Sequence, residues 1–172
     1  DAELKQKTGE IENIILKFLP KEEGIYKNLM EAMNYSVLAG GKRLRPMLML
    51  ETFRLFGGKN ESILHPFMAA IEMIHTYSLV HDDLPALDND ELRRGRKTTH
   101  VVYGEALAIL AGDGLLTYAF ETVSKAFEAV DDNDDKAHTV YKRILKAINI
   151  LAEKAGIHGM IGGQVIDIES EG

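Results

Sequence analysis

Cysteine is absent from this 172-residue chain, which excludes a disulfide framework, a thiolate metal site and a cysteine nucleophile. An apolar run of the roughly 18–20 residues that span a bilayer is missing too. The first residues, Asp1 to Lys7, are too polar for a secretory signal. Positive charge is in the minority, because 20 Lys and Arg against 27 Asp and Glu give a net charge of −7, which argues against general nucleic-acid binding. We therefore expect a cytoplasmic protein that has no membrane span and binds no nucleic acid.

Apolar residues at helical spacing are what the chain has in quantity. Hydrophobic residues make up 45% of it, which rules out a disordered chain. Helices are predicted from Leu29 to Leu38, from Pro46 to Phe53, from Pro66 to His81, from Ile109 to Phe127 and from Tyr141 to Leu151. The third is apolar on nearly every face, which predicts a buried central helix. Sustained strand alternation and linkers are both lacking, so the sequence predicts one all-α domain, a bundle of several long helices.

The strongest local signal is an acidic segment, His81 to Asp90, directly after the central helix. Such segments are most often solvated loops, but a charge without a binding partner is costly to place beside a buried helix. Oxygen ligands without cysteine or many histidines favour Mg²⁺ or Ca²⁺ over zinc. An EF-hand is excluded because its glycine and glutamate are not at the required offsets from Asp88 or Asp131. Mg²⁺ takes one or two carboxylates plus substrate phosphates, which fits this sparse cluster.

Helix geometry sets a condition on this site. Residues six positions apart on an ideal helix point about 120° away from each other, so Asp82 and Asp88 cannot share a face of an unbroken helix. Pro85 lies between them and removes a backbone donor. We predict a local unwinding over 84–87 that brings Asp88 back toward Asp82. His75 lies nearly on the Asp82 face, about 10 Å away along the helix axis, and is either a core histidine or part of the site.

Two basic clusters accompany the acidic segment. The first, Lys42 to Arg45, lies between a double glycine and Pro46, on a turn entering a helix. Backbone amides there, together with Lys and Arg side chains, suit a diphosphate. The second, Arg93 to Lys97, follows the acidic segment. Either cluster alone is more often a solvated face, but with carboxylates for Mg²⁺ the two form a coherent site for two diphosphates.

These motifs resemble the trans-isoprenyl diphosphate synthase (polyprenyl synthetase) family, most closely its bacterial farnesyl diphosphate synthases. Terpene cyclases share an aspartate-rich motif, but they do not normally show the glycine–lysine–arginine piece with paired arginines. The matching pieces occur in family order and cover the chain from about Tyr35 onward: GGKRLRP at 40–46, IHTYSLVHDDLPALDND at 74–90, RRG at 93–95, YGEALAILAGD at 103–113 and GGQVID at 162–167.

The resemblance implies a fold of antiparallel helices around a deep cavity, usually as a homodimer. It implies that one diphosphate, that of isopentenyl diphosphate, is held by Lys42, Arg45, His75 and Arg94.

The resemblance also implies a metal site for the allylic diphosphate. Mg²⁺, with Mn²⁺ as an alternative, would bind Asp82, Asp83 and Asp88 and bridge to this diphosphate, which Arg93 would contact. A further family motif near the allylic substrate and the metal is matched by Gln164 and Asp167.

The implied reaction is ionisation, condensation and elimination. Mg²⁺ and the basic residues would stabilise charge on the leaving diphosphate of a dimethylallyl or geranyl substrate. The isopentenyl double bond then attacks the allylic cation, proton loss completes the step, and an apolar cavity excludes water. Product length in this family is set by bulk below the first aspartate motif. Tyr77, with its neighbour Ser78, would be the floor that stops the chain at farnesyl, unless Tyr77 is an ordinary core tyrosine.

Two departures from the family pattern are visible. Lys97 stands where relatives commonly have proline. The chain also ends at Gly172, before the lysine-bearing segment and the second aspartate-rich motif of the family, so we expect residues 1–172 to be one isoprenoid-synthase domain that is incomplete C-terminally and inactive or nearly so alone. Three alternatives stay open: a geranylgeranyl diphosphate synthase, a non-catalytic subunit that binds a partner synthase, and a metal-binding bundle that leaves both basic clusters unexplained.

Overall fold

A computed structural model describes residues 2–170 of the chain. The helices are α1 (Ala2–Leu16), α2 (Lys27–Val37), α3 (Leu44–Leu55), α4 (Glu61–Asp82), α5 (Thr99–Tyr103), α6 (Glu105–Ser124), a 3₁₀ helix (Lys125–Ala129), α7 (Ala137–Ala155) and α8 (Met160–Ser170). A two-stranded antiparallel hairpin, β1 (Leu92–Arg93) and β2 (Arg96–Lys97), separates α4 from α5. The predicted all-α class is confirmed.

Helix α4 is the buried centre of the fold. Its apolar side chains are covered on most sides, and Met68, Ala70 and Met73 have no exposed surface. Helix α6 packs along α4 through small buried residues such as Ala111 and Gly112, which let the two helices approach closely. The prediction of a central helix is confirmed, because a helix that is apolar on all faces needs neighbours on all faces.

The start of α4 differs from the prediction. The helix begins at Glu61, and Pro66 lies inside it rather than at its first turn. Asn60 supplies the start signal, because its side chain accepts a hydrogen bond from the backbone N–H of Ser62 at 3.2 Å. Pro66 costs the helix one backbone hydrogen bond, and the burial of its ring in the core offsets that loss.

Three helices lie outside the predicted stretches: α1, α5 and α8. Helix α1 has a narrow apolar stripe in an otherwise charged sequence, yet it buries Ile11 and Ile15 in the core. Helix α5 is too short to show a repeat, and α8 has no buried residue among those described. Weak periodicity therefore explains why the pattern did not predict them.

The stretch Glu105–Ala129, which joins α6 to the 3₁₀ helix, reaches the length and apolar composition of a membrane span. This differs from the expectation that no run approaches that length. Core helices of water-soluble proteins have the same properties, and α6 lies against α4, so the observation is weak evidence for a membrane span.

Candidate active site

The acidic segment begins where α4 ends. Helix α4 terminates at Asp82, with Asp83 as its C-terminal cap. The chain then turns, and the backbone N–H of Asp88 donates to the carbonyl of Asp82 at 2.8 Å. The predicted return of Asp88 is confirmed, but it follows from termination of the helix rather than from unwinding within a longer one. Pro85 favours termination because it disfavours the helical conformation of the residue before it, Leu84.

The aspartates of this segment have different environments. The Asp83 side chain is 5% exposed, and its Oδ1 accepts hydrogen bonds from Nε and Nη2 of Arg93 at 2.8 and 2.5 Å. A buried carboxylate needs such a partner. Asp82 is half-buried and Asp88 is exposed, and neither forms an ion pair within residues 2–170. Asp82 and Asp88 are therefore available to a cation, whereas the third predicted ligand, Asp83, is held by Arg93.

The two available carboxylates fit a magnesium ion in number and chemistry. Burial raises the pKa of Asp82, and the negative charge of Asp88 raises it further, so a cation between the two would relieve their repulsion. In the described part of the chain, no group of three or more His, Asp or Glu side chains is arranged to hold a metal ion. Two carboxylates agree with the usual Mg²⁺ site, which is completed by substrate phosphates and water.

The hairpin directs its paired arginines to different places. Arg94 lies in the turn with φ of 53°, a left-handed conformation that tight hairpin turns require. Arg93 therefore points back to Asp83, while the Nη1 of Arg94 donates to the carbonyl of Gly40. A Cβ at Gly41 would lie 2.5 Å from the Arg94 Nη1, so only glycine permits this approach.

Tyr35 on α2 fixes the second strand of the hairpin. Its hydroxyl donates to the carbonyl of Lys97 at 2.7 Å, and the Arg96 guanidinium lies 4.3 Å from the centre of its ring. Arg96 also donates to the carbonyl of Leu38 at 2.9 Å. The contact at Lys97 uses a backbone carbonyl, which a proline at this position would also supply.

A pocket of about 450 Å³ lies beside the hairpin turn. Its lining includes the four residues that the resemblance assigned to one diphosphate: Lys42, Arg45, His75 and Arg94. Lys42 precedes α3, Arg45 is in its first turn, His75 is on α4 and Arg94 is on the hairpin. The three cations form no ion pair with a carboxylate of the described residues. The pocket therefore concentrates positive charge that a diphosphate would neutralise. We call it the basic pocket.

His75 is the neutral member of the basic pocket. Burial lowers its pKa to about 4, and the positive charges of Arg45 and Arg94 act in the same direction. The ring is therefore uncharged at neutral pH. It can donate one hydrogen bond to a bound anion without adding charge.

Two members of the pocket lining were not predicted from the sequence. Arg43 is 5% exposed and Glu72 is 3% exposed, and their side chains form an ion pair at 3.0 Å. Arg43 belongs to the first basic cluster, which the sequence predicts to bind a diphosphate, but its burial and its ion pair with Glu72 were not predicted. Glu72 lies in an apolar helix, where a lone carboxylate is the signal that it needs a buried cationic partner.

Tyr77 and Ser78 lie on the last turns of α4. Tyr77 is 6% exposed, and its ring meets the His81 ring edge-on with 5.8 Å between centroids. Burial raises the pKa of Tyr77, and the negative charge of Asp82 raises it further. Ser78 donates to the carbonyl of His75 at 2.9 Å, so its hydroxyl serves the helix backbone.

Gln164 and Asp167 lie on α8, which packs against α7. Gln164 is half-buried and Asp167 is exposed. Within residues 2–170, neither forms an ion pair or hydrogen bond with the acidic segment. The structure therefore brings together the acidic and basic residues of α4 and its neighbours, but not this last pair.

Comparisons with known proteins point in one direction. The family model of the polyprenyl synthetases matches residues 26–172. A farnesyl diphosphate synthase of Geobacillus stearothermophilus is 48% identical over 169 residues, which cover 98% of this chain and 54% of that protein. A chloroplastic geranylgeranyl pyrophosphate synthase of Catharanthus roseus is 50% identical over 142 residues, 83% of this chain and 37% of that protein. The chain spans about half the length of the bacterial relative and less of the plant one.

Solved structures show the same likeness. The apo crystal structure of an FPP/GFPP synthase from Zymomonas mobilis matches with a TM-score of 0.84 and 40% identity, covering 99% of this chain and 58% of that one. A geranyltransferase from Legionella pneumophila matches with a TM-score of 0.82 and 32% identity, covering 95% and 54%. The chain therefore has the all-α isoprenoid synthase fold over the part that it spans.

Proposed function

This chain belongs to the polyprenyl synthetase family, and we propose that the complete protein condenses isopentenyl diphosphate with an allylic diphosphate, dimethylallyl or geranyl, to give farnesyl diphosphate. The observation that carries the proposal is the pairing of two oppositely charged sites along α4. The basic pocket surrounds His75, and Asp82 and Asp88, which form no ion pair within residues 2–170, lie at and just beyond the C-terminal end of the helix.

The basic pocket suits the diphosphate of isopentenyl diphosphate. Lys42, Arg45 and Arg94 supply three positive charges, and His75 supplies a neutral donor. Because this substrate must keep its diphosphate throughout the reaction, it is best bound by fixed cations that do not promote loss of the group.

The acidic segment suits the allylic diphosphate. Asp82 and Asp88 would hold Mg²⁺, or Mn²⁺ in its place, and Arg93 lies next to them with its guanidinium on Asp83. When bound, the metal supplies positive charge that stabilises the leaving diphosphate. The residues of this chain would orient that diphosphate and keep the two anionic groups at separate sites.

Farnesyl diphosphate is the product that Tyr77 supports. The phenol is buried on α4 five residues before Asp82, and bulk at this position would block a longer chain. A geranylgeranyl product is the second candidate, because similar relatives include synthases of that product. A non-catalytic subunit fits less well, since the aspartates of the segment are retained. We also propose that the complete protein is a homodimer and that it is cytoplasmic.

Protection from chemical modification tests the proposed binding site. Arg45 and Arg94 are exposed in the pocket, and Arg143 is an exposed arginine on α7. We expect isopentenyl diphosphate to protect Arg45 and Arg94, but not Arg143, from an arginine-specific dicarbonyl reagent in the complete protein, as measured by peptide mass spectrometry. Equal modification of all three arginines with and without this ligand would contradict the proposal.

A further inference from the structure

We propose that the Arg43–Glu72 ion pair is a positioning pair for the basic pocket: it turns Arg43 away from the ligand and thereby sets Lys42 and Arg45 at the pocket wall. This inference rests on the proposed function, because it assigns a task to residues around the same diphosphate site.

Arg43 is held from three directions. Its Nη1 donates to the Glu72 Oε2 at 3.0 Å, and its Nη2 donates to the carbonyl of Val37 at 2.9 Å. Its Nε lies 3.4 Å from the carboxylate of Glu12 without hydrogen-bond geometry. The guanidinium thus joins α1, the end of α2 and α4. The planar guanidinium of arginine can contact three such partners at once, whereas the compact ammonium of lysine cannot.

The backbone at Arg43 explains why its neighbours face outward. Arg43 has φ 48° and ψ 36°, a left-handed conformation unusual for a residue with a Cβ, and it is the N-terminal cap of α3. Its carbonyl accepts the first bond of the helix, from the N–H of Met47 at 3.1 Å. Lys42 and Arg45 on either side are exposed and line the pocket. The buried guanidinium stabilises this strained geometry, which a local loss of contacts would release.

Glu72 connects this anchor to the rest of the pocket. It lies three residues before His75 on α4, so the two side chains share a face of the helix. The ion pair therefore fixes the segment that leads into α3 relative to His75 on α4. It also neutralises Arg43, so the net positive charge of the pocket comes from Lys42, Arg45 and Arg94.

Steady-state kinetics of the complete protein test the pair. We expect Glu72→Gln to raise the KM for isopentenyl diphosphate by about 10- to 100-fold, because small misplacement of positioning groups costs up to about 100-fold. The kcat and the KM for the allylic diphosphate should stay within about twofold, since the acidic segment is untouched. Arg43→Met should raise the KM for isopentenyl diphosphate by a similar factor. Arg43→Lys keeps the positive charge but not the planar guanidinium, so its KM should lie between those of the wild type and Arg43→Met.

The exposed pair Arg54–Glu61 is the matched control, with an ion-pair distance of 2.6 Å. Glu61→Gln should leave both KM values unchanged. A purely structural role for Glu72 predicts instead that activity toward both substrates falls together with the folded fraction, and that result, or an unchanged KM for isopentenyl diphosphate, overturns the inference. If Glu72→Gln loses its cooperative thermal transition, the same comparison is made with Arg43→Lys: the KM for isopentenyl diphosphate must rise while the KM for the allylic diphosphate stays unchanged. A wild-type protein that does not use isopentenyl diphosphate overturns the proposed function and the inference together.

Discussion

At the scale of single residues, crowding of positive charge decides the state of the basic pocket. His75 is surrounded by arginines from two elements: Arg43 and Arg45 at the start of α3, and Arg93 and Arg94 on the hairpin. Together with burial, these charges make a second protonated nitrogen on the ring unfavourable. The pocket therefore binds an anion with fixed cations and a neutral donor.

The pH dependence of stability tests the state of His75. Its pKa is about 4 in the folded protein, below the ordinary value of 6.5, so the unfolded chain binds more protons between these two values. Stability should therefore fall as the pH falls from 6.5 toward 4. We expect His75→Gln to reduce this fall in urea unfolding measured across that range. An NMR titration should also give a higher pKa for His75 in Arg45→Gln than in the wild type; identical values would show that the arginine charges do not act on the ring.

The Arg93–Asp83 pair carries a second prediction at this scale. Removing one partner leaves the other buried and unpaired, which costs about 3 kcal/mol or more. We expect Arg93→Gln to lower the free energy of unfolding by about 3 kcal/mol. Arg54→Gln, which breaks an exposed pair with Glu61, should cost less than about 1 kcal/mol. An equal loss of unfolding free energy in the two variants would show that Asp83 lies in a solvated rather than a buried environment.

Tyr77 tests the assignment of product length. In the complete protein, Tyr77→Ala should give products longer than farnesyl diphosphate, because the buried ring below the acidic segment is removed. Phe67→Ala removes another buried ring from α4, farther from the aspartates, and each change should destabilise by about 3–5 kcal/mol. Chromatography of the products should show lengthening in the Tyr77 variant alone. Unchanged product length in that variant would leave Tyr77 as an ordinary core tyrosine.

At the scale of elements, the contact between α4 and α6 fixes the end of α4 from which the acidic segment departs. Small residues of α6 bring it close to α4, and the His81 ring occupies the space above Gly112. Its Nε2 lies 3.1 Å from the carbonyl of Ile109. The close approach therefore sets the last turn of α4 before Asp82.

Gly112→Ala probes this contact. A Cβ at Gly112 would lie 2.1 Å from the Nε2 of His81, so the ring must move and lose its hydrogen bond. We expect a loss of about 1–3 kcal/mol in the free energy of unfolding. Gly9 in α1 has nothing within 4 Å of such a Cβ, so Gly9→Ala should stabilise by about 0.5–1 kcal/mol through its helix propensity. Stabilisation by both changes, measured by denaturant unfolding, would contradict the close packing of α4 and α6.

Some of these elements could be predicted from the sequence, and others could not. The strong repeat of α4 and the glycines after α2 and α3 predicted these helices, because burial and termination act through local residue types. The start of α4 was misplaced at Pro66, since the cap at Asn60 was the stronger signal. At the site, the positions of the acidic and basic clusters were predictable. The partners of Arg43, Arg93 and Arg94 within the protein were not, because these contacts depend on left-handed backbone and on residues distant in sequence.

At the scale of the whole molecule, the chain matches only part of the length of its relatives. It spans 54% of the Geobacillus stearothermophilus farnesyl diphosphate synthase, and it contains the basic pocket and the first acidic segment. Helix α8, which carries Gln164 and Asp167, has no buried residue among those described. The chemistry we propose therefore belongs to the complete protein.

The most direct measurement is a condensation assay on the complete protein with labelled isopentenyl diphosphate, geranyl diphosphate and Mg²⁺. Our account predicts labelled farnesyl diphosphate, no product when the metal is removed by a chelator, and a loss of at least about 100-fold in rate for Asp82→Asn, which removes a preorganised charge at the reacting group. Asp135→Asn, at an exposed carboxylate between the 3₁₀ helix and α7, should retain the wild-type rate. A folded protein that forms no farnesyl diphosphate, or one whose rate is unaffected by the chelator and by Asp82→Asn, would contradict it.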